Sequence, residues 1–108
     1  MKSIAIFTTA GSADEARRIA HALVERRLAA CVQITEIESF YRWQGAVQNE
    51  NEWRLLIKST DAQYAAVEAS IRELHSYDLP GIYAVAFDQA LAPYADWIRR
   101  ESSGTDQN

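Results

Sequence analysis

The stretch ACVQITEIESFYRWQGAVQNENEWRLLIKS, Ala30 to Ser59, decides the fold. Ala30 to about Trp43 reads as one long strand and Ala46 to Ser59 as another, with Gln44-Gly45 between them as a short hairpin turn. In the second strand Trp53, Leu55 and Ile57 alternate with Arg54, Leu56 and Lys58. In the first, Val32 and Ile34 share one parity and Ile37, Ser39, Tyr41 and Trp43 the other, so the buried face switches near Thr35 to Glu36, as a bulge or a strong twist would produce. Residues 46 to 59, fully extended, span roughly 46 Å at ~3.3 Å each. A compact chain of this size has a radius of gyration near ~13 Å and a diameter of about 35 Å, so an unbent hairpin projects beyond its own domain. Such a ribbon, carrying Tyr41, Trp43 and Trp53, exposes apolar area and strand edges that other copies of the chain would cover. A homo-oligomer is the expectation. A sharp bend at Asn49-Glu50-Asn51, folding the ribbon back within one monomer, is the competing reading.

Outward from the ribbon, Lys2 to Thr9 is β-branched and apolar and reads as a first strand. Ser12-Ala13-Asp14-Glu15 then makes a capping box, and Ala16, Ile19, Ala20, Leu23 and Val24 recur at helical spacing behind it. On the other side, Thr60-Asp61-Ala62-Gln63 offers a second capping box ahead of Tyr64, Val67, Ile71 and Leu74, a helix that runs to His75 and is stopped by Tyr77-Asp78-Leu79-Pro80-Gly81. Ile82 to Phe87 is a last strand, and Pro93 opens a short helix docked by Tyr94 and Trp97. The order β-α-β-β-α-β plus a C-terminal helix predicts an α+β ferredoxin-like sandwich with both main helices on one sheet face. It forms one domain over residues 1–101, and the polar tail 102–108 reads as disordered.

Composition narrows the partners. The 108 residues suit one domain, and 11 Lys plus Arg against 15 Asp plus Glu leave a net charge of −4, against a general nucleic-acid binder. The single cysteine, Cys31, closes no intramolecular disulfide, which suits a reducing, cytoplasmic setting. No apolar run approaches the ~20 residues of a membrane span. The apolar segment after Lys2 is also shorter than the ~7 to 15 residues of a signal peptide core.

Read in order, Leu28-Ala29-Ala30-Cys31-Val32, Ser39-Phe40-Tyr41-Arg42-Trp43-Gln44-Gly45, Glu52, Ile57-Lys58, His75-Ser76-Tyr77 and Pro93-Tyr94 with Trp97 resemble the CutA-like divalent-cation tolerance family over nearly the whole chain. The resemblance implies a ferredoxin-like subunit in a tight trimer joined through the long ribbons, with clefts at subunit boundaries. It further implies an association with tolerance to copper and other divalent cations, and an architecture like the trimeric PII-type nitrogen regulators. This chain departs from the family pattern at Ser76, where proline usually follows the histidine, at Ala90, in place of a turn glycine, and at Gly81, where a glutamate usually follows the proline. The last departure removes a potential hard ligand from the cleft.

The candidate residues follow from chemistry and resemblance together. Cys31 and His75 would form a soft, copper-preferring pair if they met, although a lone strand cysteine is commonly inert and a histidine in a last helical turn is favoured by the helix dipole alone. The resemblance places His75 and Tyr77 beside a subunit cleft. Glu52 matches a family position, and Lys58 lies on its face by parity, so Glu52, Lys58, His75 and Tyr77 are the expected cleft residues; Glu50 and Glu52 share a strand face and could act as paired carboxylates or oxygen ligands, or form only a solvated edge. Tyr41, Trp43 and Trp53 are expected at the trimer interface. The reading is a non-enzymatic homotrimer of divalent metal homeostasis that binds a metal ion, copper among them, or a small ligand between subunits. The alternative is a PII-like regulator that binds a nucleotide or anionic metabolite and signals to a partner protein, although the chain has no Gly-rich phosphate loop. An enzyme on this fold finds no third group to orient a Cys31–His75 pair and no arginine in Thr8-Thr9-Ala10-Gly11-Ser12.

Overall fold

The apolar, β-branched N-terminus forms β1 (Ser3–Ala10), and Ser12 starts α1 (Ala13–Glu25), its hydroxyl accepting the backbone N–H of Glu15 at 3.1 Å. The long central stretch forms β2 (Cys31–Trp43) and β3 (Ala46–Thr60), followed by α2 (Tyr64–Leu74), β4 (Ile82–Ala86) and α3 (Ala92–Glu101), which carries Pro93 in its first turn. The computed structural model describes residues 1–104. The four strands lie in the order β2-β3-β1-β4, every pair antiparallel, which is the expected α+β ferredoxin-like arrangement.

The β2–β3 turn consists of Gln44 at φ 51° and Gly45 at φ 79°, the two left-handed residues that let a two-residue loop follow the strands' own twist. From that turn the register runs unbroken, Trp43 opposite Ala46 and Cys31 opposite Lys58, so the ribbon is unbent at Asn49-Glu50-Asn51 and no bulge underlies the parity switch. The switch has another cause. β1 ends with Ala10 opposite Trp53, and residues 46–52 of β3 pair with β2 alone. The helix-facing side is covered only as far as β1 and the helices reach, and beyond that both faces of the ribbon are open. The molecule accordingly measures 48 × 27 × 21 Å, longer than a compact chain of its size.

Ile4, Ile6, Leu55 and Ile57 of the sheet meet Ile19 and Leu23 of α1 and Val67 and Ile71 of α2 in the core. Each is buried, and each contributes on the order of 1.5–3 kcal/mol of transfer free energy. Trp53 packs against this cluster, so it supports its own subunit's core rather than standing free for an interface as expected. The opposite face carries Phe7 stacked on Tyr83 at 5.2 Å, with Tyr83 and Val85 exposed.

Two terminal features differ from expectation. The second capping box does not form: residues Asp61–Gln63 make a turn of 3-10 helix and Thr60 provides no side-chain cap. The tail is packed through residue 104, since Ser102 is buried and the Gly104 N–H donates to the Arg27 carbonyl at 2.7 Å. Residues 105–108 of the expected disordered tail lie outside the described residues.

Candidate functional site

Where β1 stops, the ribbon loses its neighbour and a gap opens beside Glu52, the first β3 residue beyond the Ala10–Trp53 pair. Tyr77, on the segment that follows α2, fills part of it. Its hydroxyl donates to Glu52 Oε2 at 3.0 Å, and its ring passes so near Gly11 that a Cβ there would lie 3.1 Å from the tyrosine oxygen. A larger residue at Gly11 would displace the ring. Two residues along the same face of β3, Glu50 Oε1 accepts the Tyr41 hydroxyl at 2.7 Å, a contact across the ribbon from the position diagonal to it.

These two carboxylate–phenol pairs line a cleft of about 680 Å³, with Ser39, Phe40 and Trp43 on the ribbon side and Thr9, Asp78, Leu79 and Gly81 on the other. No lysine or arginine is among its lining residues. Glu52 is buried while Glu50, Tyr41 and Trp43 are exposed, so Glu52 alone stands at the closed end of the site and the rest of it is open. Burial and then the neighbouring Glu52 carboxylate hold the Tyr77 phenol well above the usual tyrosine range, and the hydrogen bond to Glu50 is the first cause of a rise at Tyr41. Both phenols therefore stay protonated donors toward the two glutamates. A Cβ added at Gly81 would meet nothing within 4 Å, so the position of the missing family glutamate is open space.

His75 supports this wall and does not face the cleft. Its side chain is fully buried. Nε2 lies 2.6 Å from the Thr9 carbonyl oxygen, to which it donates, and Nδ1 accepts the Tyr77 N–H at 3.0 Å. These partners occupy both ring nitrogens, so His75 has no lone pair for a metal. Glu15 Oε1 stands 3.5 Å from Nδ1, too distant to replace that bond, and it has no hydrogen-bond partner. The second half of the first capping box is missing because Glu15 turns inward here.

The remaining expected residues lie elsewhere. Cys31 pairs opposite Lys58, in the row of Ala5, while His75 is bound at Thr9, four residues along β1 and so about 13 Å away. The Cys31–His75 copper pair is therefore not formed. Lys58 shares the Glu52 face but stands six residues, about 20 Å, from it. It donates to the Tyr94 hydroxyl at 2.9 Å beneath the Tyr94–Trp97 stack, so it holds α3 in place rather than lining the cleft. Among the described residues no group of three His, Cys, Asp or Glu side chains is placed to hold a metal. Glu50 lines the cleft beside Glu52, as the paired-carboxylate reading expects, and is exposed, as the solvated-edge reading expects.

A ferredoxin-like α+β subunit that projects a bare β-ribbon and gathers carboxylates and aromatic rings at the ribbon's root is the class of protein these features define. The family model described as CutA1 divalent ion tolerance protein matches residues 4–101. The chain belongs to that family. The divalent-cation tolerance protein CutA of Archaeoglobus fulgidus is 39% identical over 93 residues, 86% of this chain and 91% of its own length. Its solved structure, described as that of a periplasmic protein, superposes with a TM-score of 0.91 over 93% of this chain and 98% of its own, at 36% identity. The CutA1 structure from Oryza sativa gives a TM-score of 0.92 at 30% identity, covering 94% of each chain.

Proposed function

We propose that this protein is a non-enzymatic homotrimer of divalent-cation homeostasis that takes up a cation in the acidic cleft at the root of each ribbon. The observation that carries the reading is the pairing of Glu50 and Glu52, each oriented by a tyrosine hydroxyl, in a cleft with no lining base. Oxygen donors of this kind suit hard divalent cations better than copper, whose preferred nitrogen and sulfur ligands, His75 and Cys31, are respectively occupied and distant. A subunit offering the three lining carboxylates Glu50, Glu52 and Asp78 leaves coordination positions for a neighbouring copy or water, which supports placing the cleft at a subunit boundary. The bare ribbon and the exposed Phe40, Trp43 and Val47 support assembly through it. The absence of lining cations disfavours a nucleotide or anionic metabolite. The non-enzymatic reading is supported by the family's description as a divalent ion tolerance protein, which names no reaction. The unpaired Cys31 supports a cytoplasmic location, and no described helix is long and apolar enough to cross a membrane.

Calorimetric titration of Mn²⁺, Zn²⁺ and Cu²⁺ into the wild type and the Glu50→Gln/Glu52→Gln variant tests the cation site. Saturable binding of Mn²⁺ or Zn²⁺ that the variant loses is expected, and equal binding by both proteins would overturn the assignment.

A further inference from the structure

We propose that the cleft also receives an organic cation, an ammonium or guanidinium carried on an apolar stem. This rests on the reading of the cleft as a cation site and specifies what it holds. Three observations converge. The first is room: about 680 Å³ falls within the range of small-molecule pockets. A divalent ion held by the lining carboxylates Glu50, Glu52 and Asp78 at about 2.3–2.6 Å would fill only part of this space. Gly81 widens the same space, since even a Cβ there would touch nothing.

The second observation is the wall. Tyr41, Trp43 and Tyr77 line the cleft beside the carboxylates, and a cation within about 6 Å of such ring faces is attracted by their quadrupoles while its apolar stem is desolvated against them. A small hydrated metal ion gains little from these three aromatic rings. The third is charge: Glu52 is 7% exposed, its Oε2 accepts only a neutral phenol hydroxyl in the described contacts, and no lining lysine or arginine balances it. A buried carboxylate compensated this weakly favours a cationic partner.

The cation has two sources with one chemistry, a free amine or the Arg42 guanidinium of a second copy, the only lysine or arginine between Glu36 and Trp53. The test uses phenethylammonium, its neutral analogue phenethyl alcohol, and Mn²⁺, each titrated calorimetrically into the full chain. Wild type, Trp43→Ala, Glu52→Gln, Gly81→Glu and Arg42→Ala are compared, with circular dichroism confirming that each folds. Trp43 is 46% exposed, so its removal leaves the core intact. Phenethylammonium is expected to bind saturably where the alcohol does not. Trp43→Ala should weaken it about tenfold, Glu52→Gln should abolish it, and Gly81→Glu should weaken it by filling the cleft while strengthening Mn²⁺. If Arg42 of a second copy is the resident cation, Arg42→Ala will raise phenethylammonium affinity and lower the assembled mass on dilution; a free amine leaves both unchanged. Mn²⁺ binding without phenethylammonium binding, in both wild type and Arg42→Ala, would overturn the proposal and leave the cation site standing. Binding of neither would overturn both.

Discussion

Replacing Tyr77 with phenylalanine removes one oxygen and keeps the ring beside Gly11, so it isolates the hydrogen bond to Glu52. That bond is 3.0 Å long and its acceptor carboxylate is 7% exposed. Hydrogen bonds to charged groups contribute roughly 1.5–3 kcal/mol, and because the cleft admits water to the abandoned oxygen the lower end applies, about 1.5 kcal/mol. With a urea m-value of about 1.5 kcal/mol/M, the unfolding midpoint should fall by about 1 M. The comparison is made at one protein concentration, since assembly adds to apparent stability. Repeating it in a Glu52→Ala background, where no carboxylate remains to be stranded, should shrink the cost of Tyr77→Phe by at least half. An equal cost in both backgrounds would refute the coupling on which the cleft's geometry depends.

The same tyrosine gives a pH signature: the folded protein keeps the phenol proton above about pH 10, where an unfolded tyrosine loses it. Its contribution is fully present below that pH and is lost as pH rises beyond it, so alkaline denaturation melts should show a steeper decline for wild type than for Tyr77→Phe. His75→Ala strands the Thr9 carbonyl and the Tyr77 N–H and should cost about 3 kcal/mol in urea unfolding. Trp53→Ala should destabilise the fold by about 3 kcal/mol, whereas Trp43→Ala should stay within about 0.5 kcal/mol in subunit stability while reducing assembly measured by sedimentation. Cys31→Ser should leave Mn²⁺ and Zn²⁺ titrations unchanged.

The ribbon was legible because a two-residue turn and long alternating flanks are local signals, and Gln44-Gly45 carries the required backbone freedom in its own chemistry. The parity switch was visible but its cause was not. It marks where β1 ends at Ala10, a fact about a neighbouring strand and not about Thr35 or Glu36. Thr60 looked like a cap by spacing alone, yet a single turn of 3-10 helix follows it. For the site, Glu52 and Tyr77 were both expected at a cleft, on the strength of the resemblance, and the structure brings them together across the gap that Gly11 leaves. His75 was placed correctly at the end of α2, but spacing along a chain gives no direction, and its ring turns inward to Thr9. Cys31 and Lys58 lie outside this cleft for one reason: parity assigns a face, while only register shows that both stand far down the sheet from Glu52.

The account depends on the ribbon being built to meet other copies of the chain. Multi-angle light scattering of the purified protein at micromolar concentration tests this directly. A mass three times the 12.2 kDa of one chain is predicted, and a mass equal to a single chain would contradict it, leaving the cleft without the neighbouring copy that the proposed function requires.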